Sequence, residues 1–197
     1  MDLDDQLIAT GLARGDRGAC QQLIAKHHRT VYAFLCRMGA AAALAEDLTQ
    51  ETYAKAWLNV ARIREASSLR AWLLTIARNE LLQSARRSDP RAVSLDDASH
   101  VESKHEAAHE QLERHQENAR LEVIVRGLDE PFRELIVLHY FHELSLSELA
   151  ETLSLPLGTA KSRLSRAIEA LRNDWSAIEG GESHGQRNSR ARSALIA

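Results

Sequence analysis

Three groups of side chains in this 197-residue chain have types and spacings that could do chemistry or recognition. The first is His105-Glu106-Ala107-Ala108-His109, the H-E-x-x-H arrangement. It sets two imidazoles one helical turn apart for a zinc ion and offers a carboxylate as general base. His115 follows where a metzincin-type site has its third ligand, but Leu112 stands where such a site needs a glycine to turn the chain. A helix continued through Leu112 carries His115 about 120° around the axis from His109. The only methionines are Met1 and Met38, so no downstream Met-turn follows, and the flanking residues are polar rather than cleft-forming. The pattern therefore reads as connector, and no metal, cofactor or catalytic residue is expected from it.

The second group is Trp72 and Asn79, seven residues apart and so near one face of a helix. Gln83 and Arg86 continue that stripe, and Arg62, Arg64, Arg70, Arg78 and Arg87 surround it with positive charge. An aromatic ring beside an amide on a basic surface can stack on an unstacked base and hydrogen-bond its edge. The competing reading, equally open from spacing alone, is that Trp72 is a core residue. The third group is Thr159, Lys161, Ser162, Arg163, Ser165 and Arg166, cations and hydroxyls crowded into the first turns of one helix. Its alternatives are base and phosphate contacts or a solvated helix face.

The elements that must position the third group are legible. Leu146, Leu149, Ala150 and Leu153 recur at the spacing of one apolar helical face. Ser145 or Ser147 can cap that helix, and Glu148 lies three residues beyond Ser145, as a capping box requires. Pro156 and Gly158 punctuate residues 154–158, and a second helix is expected from near Thr159, with Ala160, Leu164, Ala167, Ile168 and Leu171 inward. Two helices joined by so tight a turn, the second with a basic start, describe a helix-turn-helix whose second helix reads base edges.

Upstream, Leu3, Leu7 and Ile8 precede a break at Gly15-Asp16, and Asp16 can cap a helix carrying Leu23, Ile24, Val31, Phe34 and Leu35. His27 and His28 are expected on its surface. In residues 45–57, AEDLTQETYAKAW, Leu44, Leu48, Tyr53 and Leu58 are the expected anchors, and Asp47, Gln50, Glu51 and Lys55 project elsewhere. That outer face is either solvated, with an i, i+4 pair Glu51–Lys55, or a protein-docking surface. Ser67 or Ser68 is the expected cap of a helix reaching about Arg86.

With hydrophobic residues at 44% and only three prolines, an all-α protein of packed cores is expected. Charge divides it. Residues 88–118 carry eight acidic against three basic side chains, whereas residues 1–87 carry twelve basic against nine acidic. The expected organisation is two small helical domains, 1–87 and 119–175, joined by an acidic His-containing flexible linker, 88–118, with a mobile tail at 176–197. A net charge of −3 argues against tight non-specific nucleic-acid binding. Cys20 and Cys36 have no metal spacing and read as free thiols of a reducing compartment. The absence of a long apolar run or leader pattern predicts a cytoplasmic protein without membrane insertion.

AEDLTQETYAKAW followed by SLRAWLLTIARN resembles the second region of bacterial sigma factors of the extracytoplasmic-function type, within the sigma-70 family. DEPFRELIVLHYFHELSLSELAETLSLPLGTAKSRLSRAIEAL, within residues 128–171, is similar to their fourth region. The resemblance implies a non-enzymatic protein that binds core RNA polymerase and promoter DNA and directs initiation, under an anti-sigma factor or other regulator. It implies docking by Asp47, Gln50 and Glu51 and minus-10 recognition and melting by Trp72, Asn79, Arg78 and Gln83. It further implies minus-35 recognition by Thr159, Lys161, Ser162, Ser165 and Arg166. The alternatives are a helix-turn-helix regulator that acts without polymerase docking and, from the HEAAH motif, a zinc metalloprotease.

Overall fold

The computed structural model describes residues 3–60, 63, 68–87 and 120–179, and among them all regular structure is helical. The HEAAH cluster, Arg62, Arg64 and nearly all of the expected linker and tail lie outside the described residues. The helices are α1 (Leu3–Ala13), α2 (Arg17–Arg37), α3 (Ala42–Leu58), α4 (Leu69–Arg87), α5 (residues 120–127), α6 (Glu130–Ile136), α7 (Leu146–Thr152) and α8 (Leu157–Glu179). A π-helical turn, Val137–Phe141, follows α6 directly.

The termini follow local chemistry. Asp16 caps α2 by accepting a hydrogen bond from the Gly18 amide at 2.8 Å. At its other end Gly39, at φ +101°, lets the Gly39 and Ala40 amides reach back to the Cys36 and Leu35 carbonyls. Ser68 caps α4 by accepting from the Ala71 amide at 3.1 Å, and Ser67 lies outside the described residues. Ser145 and Glu148 close a complete capping box at the start of α7. The turn after α7 differs from expectation. Ser154, not Gly158, takes the left-handed conformation, at φ 54°, and the Leu155 amide closes on the Ala150 carbonyl at 2.8 Å. Gly158 is helical, so α8 starts two residues before Thr159.

Helix α3 packs on α2 and α4 through small side chains. Ala45, Thr49, Thr52 and Ala56 are buried, and the two threonine hydroxyls donate to the Ala45 and Leu48 carbonyls, each at 2.7 Å. Its expected anchors Leu44 and Leu58 point outward instead, 38% and 80% exposed, because Ala45 and Ala56 already fill the inner face. His27 is likewise no surface residue. It is buried, with Nε2 3.3 Å from the Asp5 carboxylate of α1, which also pairs with Lys26 at 2.8 Å. His28 is half-buried and stacks parallel to Tyr32 and Tyr53.

The two halves do not stand apart. One continuous apolar core runs from Leu23, Phe34 and Leu74 to Leu138, Leu149 and Leu164. At its middle, His142 lies edge-on to Phe34, with ring centroids 5.8 Å apart. Its Nε2 is buried and has no hydrogen-bond partner among the described residues. Burial first, then the Arg37 and Arg70 cations, lower its pKa from 6.5 to about 3. The fold therefore holds His142 neutral. Its stabilising contribution is complete above about pH 6.5 and is lost as the pH falls toward 3, at about 1.4 kcal/mol per pH unit. Urea unfolding at pH 7.5 and pH 5 should differ by about 2 kcal/mol from this group alone. His142→Phe should shrink the difference by that amount, and an unchanged difference would exclude His142 as its source.

Candidate nucleic-acid interface

The capping box and the Ser154 turn fix α7 against α8, and the register of α8 then decides what faces outward. Ala160, Leu164 and Ala167 are buried, so Lys161, Ser162, Arg163, Ser165 and Arg166 are all exposed, while Thr159 is half-buried. The Ser162 hydroxyl donates to the Thr159 carbonyl at 3.1 Å and Ser165 to the Lys161 carbonyl at 3.2 Å. Each oxygen remains able to accept from outside. Three cations on the positive end of a helix dipole make this turn attractive to phosphate, and its side chains are of a size to enter a groove.

Helix α4 buries Leu69, Ala71, Leu73, Leu74, Ala77 and Glu80. Asn79, Gln83, Arg86 and Arg87 are exposed, and Trp72 is half-buried with one side against the core. One side of Trp72 thus packs and the rest meets solvent. Gln83 is not free. Lys55 of α3 donates to the buried Glu80 carboxylate and, at 3.3 Å, to the Gln83 amide oxygen. This brace replaces the expected Glu51–Lys55 pair and leaves Glu51 exposed. Arg78, expected on the same basic surface, reaches Glu134 of α6, with Nε 2.5 Å from Oε1 and a second contact of 3.3 Å.

On α3 the exposed side chains Leu44, Asp47, Gln50, Glu51 and Leu58 form an outer strip, acidic and amide in the middle and apolar at both ends. Such a strip is suited to another protein surface, and it lies beside the brace to α4.

Residues 23–91 match the sigma-70 region 2 family, and residues 125–173 match sigma-70 region 4. The "ECF RNA polymerase sigma factor RpoE" of Cereibacter sphaeroides is 33% identical over 163 residues, covering 82% of this chain and 88% of that protein. This chain belongs to the extracytoplasmic-function sigma factors. The "RNA polymerase sigma-H factor" of Pseudomonas aeruginosa is 29% identical over 85% of this chain and 91% of its own length. Among solved structures, the sigma factor RpoE of Bartonella quintana, crystallised with the anti-sigma factor NepR, matches with a TM-score of 0.63 and 26% identity. That match covers 79% of this chain and 96% of that one. CnrH in complex with the cytosolic domain of CnrY shares the fold at a TM-score of 0.65, covering 91% of this chain and 99% of that one.

In this sigma factor, region 2 is α2–α4 and region 4 runs from the end of α5 to the middle of α8. The long-range side-chain pairs that spacing missed are those of Lys55 with Glu80 and of Arg78 with Glu134. Their members are 25 and 56 residues apart, beyond what any helical periodicity reports. Glu80→Ala is expected to cost about 1–3 kcal/mol, the loss of a charge-assisted hydrogen bond at a buried acceptor. Lys55→Met should cost at least as much, because it leaves the buried Glu80 carboxylate without its cation whereas Glu80→Ala leaves an ammonium partly in water, and the two losses should not add in a double-mutant cycle. Additive losses by denaturant titration would rule the brace out.

Proposed function

We propose that this sigma factor binds core RNA polymerase through the outer strip of α3, with Asp47, Gln50 and Glu51 making the polar contacts. The duplex minus-35 element is then read by the start of α8, with Thr159, Lys161, Ser162, Ser165 and Arg166 at the groove. The opened minus-10 strand is received by α4, where Trp72 stacks and Asn79 and Gln83 hydrogen-bond base edges. The polymerase supplies the metal and the chemistry, and this chain supplies address and strand opening. It works where the polymerase works, in the cytoplasm. An anti-sigma factor of the kind seen with the Bartonella relative is the expected regulator. The single observation that carries the reading is the division of exposed chemistry. Cations and hydroxyls start α8, a ring and amides lie along α4, and acid with amide lines α3.

Replacing Asp47 and Gln50 with Arg should abolish co-purification with core polymerase and leave the far-UV helical signal intact, since exposed substitutions seldom unfold a domain. Unchanged association would remove α3 from the interface.

The two DNA surfaces should fail differently. Arg166→Ala should weaken minus-35 recognition by roughly 1–3 kcal/mol and relax preference at one base pair if its contact is bidentate to a base. A phosphate contact would instead weaken all sequences alike and flatten the salt dependence. Trp72→Ala and Asn79→Ala should spare closed-complex binding and impair opening. A promoter pre-melted at the minus-10 element should therefore rescue Trp72→Ala and Asn79→Ala, and leave Arg166→Ala defective. Equal rescue of both classes, or of neither, would contradict this division of labour.

A further inference from the structure

Lys55 sits where a buried anion and an exposed amide meet. Glu80 and Gln83 are three residues apart on α4 and so share a side of it, the first buried and the second exposed. Lys55, in the last turn of α3, reaches both with one ammonium. It donates to the Glu80 carboxylate and, at 3.3 Å, to the Gln83 amide oxygen. Its backbone is held as well, since the Lys55 carbonyl accepts from the Asn59 backbone amide at 3.0 Å and from the Asn59 side chain at 2.8 Å. The Glu80 side chain is 6% exposed and that of Lys55 is 41% exposed, so a buried anion anchors a cation that still reaches the surface. An ammonium has three donors and no acceptor, so the amide atom that meets it must be the oxygen. The end of Gln83 left for a base is its NH2 group, a donor. The ammonium also repels a second donor at that oxygen and, by polarising the amide, strengthens the NH2.

We infer that Lys55 is a specificity-determining positioning residue, which makes Gln83 a donor and so biases it toward guanine and thymine and against adenine. An unengaged glutamine pairs well with adenine, accepting from N6 and donating to N7 with the two ends of its amide. Guanine offers two acceptors, O6 and N7, and thymine offers O4, so a donor alone serves them. With its oxygen held by Lys55, Gln83 loses the bidentate contact to adenine and keeps those to guanine and thymine. The cation stands on α3 and the amide on α4, so the helix proposed to meet the polymerase also sets what its neighbour reads. The inference rests on the reading of α4 as the minus-10 surface.

The test uses holoenzyme assembled from core polymerase and the full chain. Its promoters are pre-melted at the minus-10 element, with the four bases placed in turn at every position of the opened strand. Gln83→Ala locates the position that Gln83 reads, as the one whose preference flattens. There the unaltered chain should favour guanine or thymine over adenine. Lys55→Met should move that preference several-fold toward adenine, leave the other positions as they were, and cause no shift when Gln83→Ala is also present. A merely structural loss would weaken all bases alike. Where Lys55→Met does not fold, Lys55→Met with Glu80→Met is read in its place, since removing both partners leaves no buried charge behind. A flattened position at which adenine is already preferred, or at which Lys55→Met brings no adenine shift, overturns the role of Lys55 and leaves Gln83 a base reader. An adenine shift that persists without Gln83 overturns it as well. If Gln83→Ala alters no position, both this inference and the base contact of Gln83 fall, and the Trp72→Ala rescue judges the rest of the minus-10 reading.

Discussion

The burial of the inner face of α4 is the constraint on which the rest of this molecule depends. Leu69, Leu73, Leu74 and Ala77 are almost fully removed from solvent, each leucine worth roughly 1.5–3 kcal/mol of transfer free energy. That face is shared among α2, α3 and α7, so a single helix fixes the candidate docking helix, carries the candidate strand-opening residues and receives region 4. Because the inner face sets the rotation of α4, Asn79 and Gln83 have nowhere to go but outward. The Lys55–Glu80 brace then ties their register to α3, and a shift in one helix must be felt by the other.

This shared helix gives the protein a physical reason to depend on its polymerase. A helix-turn-helix with three cations at its start could bind duplex on its own, but the chain as a whole is slightly acidic and its other basic surface is engaged by Glu134 and Glu143. Interactions of this kind are marginal, since each ion pair trades hydration for partial compensation. A partner that binds both regions at two sites gains affinity through effective concentration. Promoter selectivity is then a property of the assembly, which suits a subunit that must not occupy promoters alone.

Much of this was legible in the residues. The capping box at Ser145–Glu148, the Asp16 cap and the outward placement of Lys161, Ser162, Ser165 and Arg166 follow from local spacing, because caps and helical periods are short-range. What the sequence hid was long-range or depended on side-chain size. Leu44 and Leu58 read as anchors because they are leucines, yet Ala45 and Ala56 take the inner face since α3 must approach its neighbours closely. His27 read as surface beside Lys26 and Arg29, but its partner, Asp5, lies on a different helix. Gly158 looked like the turn residue, and Ser154 took the left-handed position because α7 ends two residues before it. The Arg78–Glu134 contact spans 56 residues and two regions, and no pattern along the chain announces it.

Transcription by purified core polymerase on genomic DNA from the source organism, with and without this chain, tests the central claim most directly when the RNA 5′ ends are mapped. The account predicts starts that appear only with the chain, each preceded by two sequence blocks at constant spacing, and no footprint on those sites from the chain without polymerase. A strong footprint by the chain alone, or a set of starts unchanged by its addition, would contradict it.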